Sequence, residues 1–214
     1  MVFEVPELPT WAPGEEYANM LTHFIGVVFT FFAIFPIVHF AKKSRDKYKM
    51  ISHCIFISSL LIMFCTSTIY HALDPCYLKR VFRLLDHISI FLLIAGGYTP
   101  IAMTILRPSN GKKFFVIEWV IALVGISFKI ACFEAFETYS LYFYIGMGWV
   151  VLFNICDLIS LMPRNGMICL LSEGAAFTSG VYFYNSYTPF YHAIWHIFVD
   201  IGAILHILCV FYFT

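Results

Sequence analysis

Long apolar runs, separated by short polar stretches, form the main pattern of this sequence. A helix that crosses the hydrocarbon core of a bilayer needs about 20 mainly apolar residues. Seven runs reach that length, and they lie near residues 19–40, 51–72, 86–106, 114–133, 139–161, 167–185 and 192–213. The pattern therefore predicts an all-α, seven-transmembrane helix bundle in an integral, multi-pass membrane protein. We divide the chain into a short polar N-terminal segment, residues 1–18, and a transmembrane domain, residues 19–214.

The composition agrees with burial in lipid. Hydrophobic residues make up 61% of the 214 residues and charged residues only 12%. A typical soluble domain has about 45–50% apolar and about 25% charged residues, and a small one leaves much of its surface in water. The 13 basic and 13 acidic residues balance, so no basic excess indicates a nucleic acid partner. The seven cysteines form no C-x-x-C pair, and we interpret them as structural.

The positions of the basic residues predict an orientation. With seven crossings, nine lysines and arginines fall on one side of the membrane and three on the other, which is the side of the N-terminus. The positive-inside rule places the richer side in the cytoplasm, and so the N-terminus outside or in a lumen. The N-terminus lacks the basic region of a signal peptide, so we expect the first run to remain as a spanning helix.

Polar side chains at helical spacing interrupt three of the apolar runs. Ser67 and His71 lie in STIYHALDP at the end of the second run, and His192 and His196 lie in HAIWH at the start of the seventh. Residues at i and i+4 share one face of a helix. Asp86 lies at the start of the third run. Because these helix ends lie on the same membrane side at similar depth, the three imidazoles and the carboxylate can converge.

Such a cluster would form a catalytic zinc site. Three neutral imidazoles with one open position are typical of catalytic zinc, which lowers the pKa of a bound water to about 7. We therefore predict that His71, His192 and His196 are zinc ligands. Asp86 would orient or deprotonate the water, or support a ligand imidazole, and Ser67 would hydrogen-bond the water or a developing oxyanion.

Spacing alone leaves simpler interpretations open. Histidines near a membrane interface can simply hydrogen-bond a neighbouring helix or lipid headgroups. Ser67 can be a helix-packing residue, and Asp86 can be the N-terminal cap of the third helix. His23 can approach the cluster from the first run or only pack there. His206 lies ten residues beyond His196, about 15 Å deeper along a helix, so we do not expect it to be a ligand.

Several blocks of the sequence together resemble the hemolysin III family. They are EEYANMLTHFIGV, STIYHAL, VFRLLDHISIFLLIAGGYTPI, LYFYIGMGWVV and HAIWHIFVDIGAILHI, and the resemblance runs from about residue 15 to the C-terminus. This family is the microbial branch of the progestin and adiponectin receptor superfamily. The resemblance implies seven helices around a zinc ion that is bound by the three histidines, with Asp86 at the zinc-bound water and Ser67 close by. The pattern is also similar to that of alkaline ceramidases, which hydrolyse lipid amides.

The chain also departs from the family pattern. Asp200 and Glu173 place carboxylates inside apolar runs where relatives have apolar or small residues. The long N-terminal domain of the adiponectin receptors is absent, so their signalling is not implied. Those receptors have the N-terminus and the zinc on the cytosolic side, opposite to the orientation that the basic residues predict here. The sequence therefore leaves the orientation open.

Three functions remain as hypotheses. The first is a zinc-dependent hydrolase of lipid amides or esters, with a ceramide-like or fatty-acid lipid as substrate or ligand. The second is a membrane receptor or sensor in which zinc has a structural role. The third is a channel-forming cytolysin, as the family name implies. The sequence gives no indication of the oligomeric state or of which membrane holds the protein.

Overall fold

The computed structural model describes residues 6–214, and within that range the chain is helical and contains no strand. The helices are α1 Glu15–Lys43, α2 Lys47–Ala72, α3 Tyr77–Met103, α4 Gly111–Ala131, α5 Phe133–Trp149, α6 Ile155–Leu161, α7 Arg164–Tyr184 and α8 Tyr191–Phe213. A short 3-10 segment, Val150–Asn154, joins α5 to α6, and these three elements form one crossing.

Across residues 6–214, seven helical segments are long and apolar enough to span a bilayer. This confirms the prediction of an all-α, seven-span bundle. Large apolar side chains point outward from these segments, as lipid contact requires. The Phe35 and Phe153 side chains, for example, are 76% and 87% exposed at the protein surface. Water would oppose such exposure, whereas the hydrocarbon core of a membrane does not.

All seven spanning helices begin before the apolar runs that predicted them, and in α1 and α3 the added turns bear on the site. Helix α1 begins at Glu15, within the segment 1–18 that the sequence set apart, and α3 begins at Tyr77 rather than near residue 86. The additional turn of α1 contains two glutamates, and the additional turns of α3 contain Lys79 and Arg83. Hydropathy excludes charged residues from a span. Here Glu16 of α1 pairs with Lys79 of α3, and Arg83 pairs with two glutamates of α5, so the cost of burying these charges is reduced.

Four neighbouring helices carry the polar residues of interest. Helix α2 packs against α1 and α3, and α8 packs against α1, α3 and α7. A core of buried apolar side chains fills the space between α1, α2 and α8, including Phe56, Leu60, Met63 and Val199. The start of α1, the end of α2, and the starts of α3 and α8 therefore meet at one end of the bundle.

At the opposite end of the bundle, a network of surface hydrogen bonds and an ion pair stabilises the start of α2. Asp46 caps this helix, because its carboxylate accepts a 2.8 Å hydrogen bond from the Tyr48 amide. It also forms a 2.8 Å ion pair with Arg107 in the loop between α3 and α4. The Tyr48 amide hydrogen bond, more than the charge of Arg107, holds the pKa of Asp46 below its usual value.

Glycines allow some of the helices to approach closely. A Cβ added at Gly125 of α4 would overlap the ring of Phe91 on α3, whereas a Cβ at Gly146 of α5 would meet no atom within 4 Å. Small residues at helix–helix contacts are a usual device of membrane bundles, because lipid supplies no hydrophobic force between helices.

We expect Gly125→Ala to destabilise the bundle. The added methyl group displaces Phe91 from a fully buried position, and overpacking of this kind costs about 1–3 kcal/mol. The measurement is the melting temperature of the purified protein in detergent, with Gly146→Ala as the matched control. Equal melting temperatures for the two variants would show that the contact between α3 and α4 is looser than described.

Candidate metal centre

The three histidines predicted as ligands lie together. One ring nitrogen from each of His71, His192 and His196 lies within 4.8 Å of the others. Their ring centroids are separated by 5.4 Å for His71 and His192, 5.2 Å for His71 and His196, and 4.6 Å for His192 and His196. The crossing order therefore brings the end of α2 and the start of α8 to one point, as the sequence predicted.

A hydrogen bond from Glu16 fixes the orientation of the His71 ring. The Glu16 carboxylate lies 2.6 Å from His71 Nδ1. A carboxylate can only accept, so Nδ1 carries the hydrogen and Nε2 keeps its lone pair. His71 Nε2 is buried and has no hydrogen-bond partner among the described residues. This nitrogen is therefore free to bind a metal ion, and Glu16 supports it in the way that carboxylates commonly support metal-binding histidines.

The main chain of α1 orients His196 in the same way. His196 Nδ1 lies 3.1 Å from the Asn19 carbonyl oxygen and 3.0 Å from the Thr22 hydroxyl. Because the carbonyl accepts, Nδ1 carries the hydrogen and Nε2 is left free. The ring of His23 stacks on that of His196 with 3.5 Å between centroids, and neither of its nitrogens has a partner in the described chain. His23 therefore lies beside the cluster and packs against the His196 ring.

His192 is positioned through the start of its helix. The residue before α8, Phe190, has a φ of 65° and donates its amide hydrogen to Glu15 at 2.8 Å. Glu15 also accepts a 3.0 Å hydrogen bond from the amide of Ala12. The Trp11 ring packs 4.8 Å from that of His192 and covers the cluster from outside the bundle.

Glu16 also binds a buried lysine, which links three helices. Lys79 of α3 forms a 2.8 Å ion pair with Glu16 and donates hydrogen bonds to the carbonyls of Tyr70 and Leu73 at the end of α2. These carbonyls end their helix without helical partners, and a cation is favourable there. The sequence interpretation missed Glu16. The available signal was a pair of glutamates directly before the first apolar run, which was assigned instead to a polar segment.

Asp86 and Ser67, the predicted catalytic residues, lie at the same end of the bundle as the histidines. Asp86 lines the same cavity as His192 and His196. The Ser67 hydroxyl is completely buried near the Asp86 carboxyl group, although the two do not make a hydrogen bond of normal geometry. Asp86 lies well inside α3, which begins at Tyr77, so the interpretation of Asp86 as a helix cap is wrong.

The cavity runs from the histidines into the bundle. Its volume is about 160 Å³, which is room for several water molecules. Apolar residues form most of the wall, among them Met63, Leu93 and Phe177. The far end is polar again, because Glu173 and His206 lie there. His206 lies outside the histidine cluster, and its ring nitrogens contact Glu173 and the Gly97 carbonyl instead.

Comparison with known proteins identifies the family. A model of the haemolysin-III-related family matches residues 12–207. The chain belongs to this family. It is 34% identical over 200 residues to the Hemolysin-3 homolog of Bacillus subtilis (strain 168), covering 93% of this chain and 94% of that one. It is 33% identical over 201 residues to Hemolysin-3 of Bacillus cereus, covering 94% and 92%.

An animal protein is also similar to this chain. Monocyte to macrophage differentiation factor of Homo sapiens is 28% identical over 201 residues, which cover 90% of this chain and 81% of that protein. The resemblance stated from the sequence blocks is thus confirmed. Membership in the haemolysin III family and the apolar helices together establish an integral, multi-pass membrane protein. All the residues described at the histidine cluster from Glu15 onward lie within the matched region.

We expect His71→Ala to abolish metal binding. The change removes one of three imidazoles and leaves two, which are a weak site for a divalent ion. Zinc content per molecule of protein purified in detergent, determined by elemental analysis, is the measurement. The matched control is His39→Ala, because His39 is an exposed histidine of α1. Equal zinc content in wild type and His71→Ala would exclude these residues as the site.

We also expect Glu16→Gln to weaken metal binding without removing a ligand. Without the carboxylate, the His71 ring is less basic and its orientation is less firmly fixed. Such supporting residues typically contribute about 10–100-fold to metal affinity. The affinity is measured by competition with a chelator. Glu134→Gln is the control, because Glu134 pairs with Arg83 rather than with a histidine. A similar loss in both variants would indicate a general effect of charge.

Proposed function

We propose that this haemolysin III family protein is a zinc-dependent hydrolase that cleaves the amide bond of a ceramide-like membrane lipid. The observation that carries the proposal is the cluster of three histidines, two of which, His192 and His196, line an apolar cavity together with Asp86. Hydrolysis requires a polarising ion, a group that moves protons and a place for the lipid chain, and these residues offer all three.

The donor set fits zinc. Imidazole nitrogens are common zinc ligands, and three of them leave one tetrahedral position for water or substrate. The Nδ1 atoms of His71 and His196 are occupied by Glu16 and by Asn19, so the opposite nitrogens of both rings are available. A buried nitrogen without a partner, such as His71 Nε2, costs free energy unless something binds it. A metal ion would remove that cost.

The side chains of the site have distinct roles in the proposed reaction. Zinc, when bound, supplies a Lewis acid that polarises a carbonyl and activates water. Asp86 accepts a proton from the attacking water and can later deliver it to the leaving nitrogen, which is general base and then general acid catalysis. The Ser67 hydroxyl, buried beside Asp86, donates a hydrogen bond to the Asp86 carboxylate or to the substrate oxygen. Glu16 and Asn19 keep the imidazoles in place.

The cavity supports a lipid rather than a soluble substrate. Its walls between the polar ends are mostly apolar and are formed by α2, α3, α5, α7 and α8. An acyl chain gains free energy by filling such a space. The helices around it expose apolar side chains to the bilayer, so a lipid can approach without crossing water. The positions of the histidines at one end of the cavity would place the amide group near that end.

We expect Asp86→Asn to lose hydrolysis while it keeps the metal. The amide side chain has a similar shape but cannot accept a proton, and general acid–base groups typically contribute about 10²–10⁴-fold to a rate. The measurement is release of fatty acid from ceramide by purified protein in lipid nanodiscs, together with zinc content. His192→Ala should lose both activity and zinc. The control is Asp157→Asn, since Asp157 hydrogen-bonds Ser109 away from the cavity.

Other results would favour the other functions. Undiminished turnover in Asp86→Asn and His192→Ala would exclude the proposed site as catalytic. No turnover in wild type, combined with a lower melting temperature after metal removal, would favour a receptor or sensor with structural zinc. Conductance of the purified protein in planar bilayers would favour a channel-forming cytolysin, the function suggested by the names of the Bacillus relatives.

A further inference from the structure

The far end of the cavity holds a second polar site. Glu173 of α7 and His206 of α8 are each only 7% exposed, and both line the cavity. Glu173 Oε1 lies 2.7 Å from His206 Nδ1, and His206 Nε2 lies 2.9 Å from the carbonyl oxygen of Gly97. The other carboxylate oxygen, Glu173 Oε2, is buried and has no hydrogen-bond partner among the described residues.

The hydrogen bonds of this pair fix its net charge. The Gly97 carbonyl only accepts, so His206 Nε2 carries a hydrogen. One more proton lies between Nδ1 and Glu173 Oε1, and it belongs either to the imidazole or to the carboxyl group. An imidazolium with a carboxylate is neutral overall, and so is an imidazole with a carboxylic acid. In both cases Glu173 Oε2 is an acceptor, and the pair as a whole has no charge.

An acceptor of this kind selects a particular chemical group. A buried acceptor without a partner costs about 1–3 kcal/mol, which a hydrogen-bond donor recovers. An ammonium group would also donate, but a neutral pair cannot compensate its charge within the hydrocarbon region. A hydroxyl group has one donor and no charge, so it matches Glu173 Oε2 best.

The separation of the two polar ends gives the position of that hydroxyl. His196 and His206 lie on α8 ten residues apart, which is about 15 Å along the helix axis. Apolar residues such as Val199 and Ala203 line the cavity between them. A lipid chain that begins at the histidine cluster therefore passes apolar side chains before it reaches Glu173 near its middle.

We propose that Glu173 and His206 form a subsite for a hydroxyl group in the middle of a lipid chain. The substrate would be a lipid amide whose fatty-acyl chain is hydroxylated well away from the carbonyl. The position of the acyl head at the histidine cluster rests on the proposed hydrolase function. The hydroxyl subsite itself rests on the cavity and on the unpartnered oxygen of Glu173.

Binding of free fatty acids tests the subsite without any turnover. The probes are stearic acid and its hydroxy derivatives, with the hydroxyl next to the carboxylate, in the middle of the chain, or near the methyl end. We expect the mid-chain isomer to compete with a fluorescent fatty acid about fivefold more strongly than stearic acid, the gain of about one net hydrogen bond. A mid-chain methoxy derivative, which cannot donate, should lose this advantage on the unaltered protein.

Variants then identify the acceptor. Glu173→Leu should abolish the preference for the mid-chain hydroxyl. Glu173→Gln should retain it, because the amide nitrogen can donate to His206 Nδ1 and leave the amide oxygen as an acceptor in the place of Oε2. Glu118→Leu is the matched control and should also retain it. Glu118 is a fully buried carboxyl group that has no hydrogen-bond partner within residues 6–214 and does not line the cavity.

Two results would overturn the subsite. The first is equal binding of all the isomers and stearic acid to wild type, as would occur if water permanently occupies Glu173 Oε2. The second is equal strength of the methoxy and hydroxy derivatives. Ceramide hydrolysis without any hydroxyl preference would refute only the subsite, and a preference without hydrolysis would refute only the catalytic function.

Discussion

The contact of Glu16 with both His71 and Lys79 is the interaction on which the rest of the site depends. It joins α1 to the end of α2 and to the start of α3 in one buried polar network. Its neighbour Glu15 joins α1 to the residue that precedes α8. Two adjacent carboxylates at the first turn of α1 therefore hold the helices that carry the three imidazoles. Without them, each histidine would be attached to a helix whose end is free to shift.

Charges buried in a membrane protein have to be compensated locally, and the histidine end of the bundle shows how this is done. Lys79 pairs with Glu16, and Arg83 pairs with Glu134 and Glu137 on α5. Other buried charges are compensated differently. At the same end, the Lys129 ammonium lies 4.0 Å from the centroid of the Phe133 ring, a favourable cation–π contact. Deeper in the bundle, Glu173 shares a proton with His206. Groups that remain without a partner, such as the free oxygen of Glu173, are therefore good indicators of function.

The cavity connects these separate polar groups. One end presents imidazole nitrogens and a carboxylate, the other end presents a neutral acceptor pair, and the wall between them is apolar. In the proposed function, a metal ion at the first end would act on the polar head of a lipid, and the second end would bind a hydroxyl group on its chain. The same residues that make the site costly to fold are those that would recognise and act on a lipid.

The sequence by itself determined the membrane architecture and predicted the three histidines that the fold brings together. The length of an apolar run predicts a spanning helix, because the bilayer requires about the same length from each span. Counting the crossings then placed His71, Asp86 and His192 on one side of the membrane. Only the tertiary structure decided which groups support them. Glu16 and His71 are 55 positions apart, and Glu173 and His206 are 33 apart. No local pattern encodes such pairs, because they form only when separate helices pack. Hydropathy also predicts that helical turns with charged residues lie outside the spans.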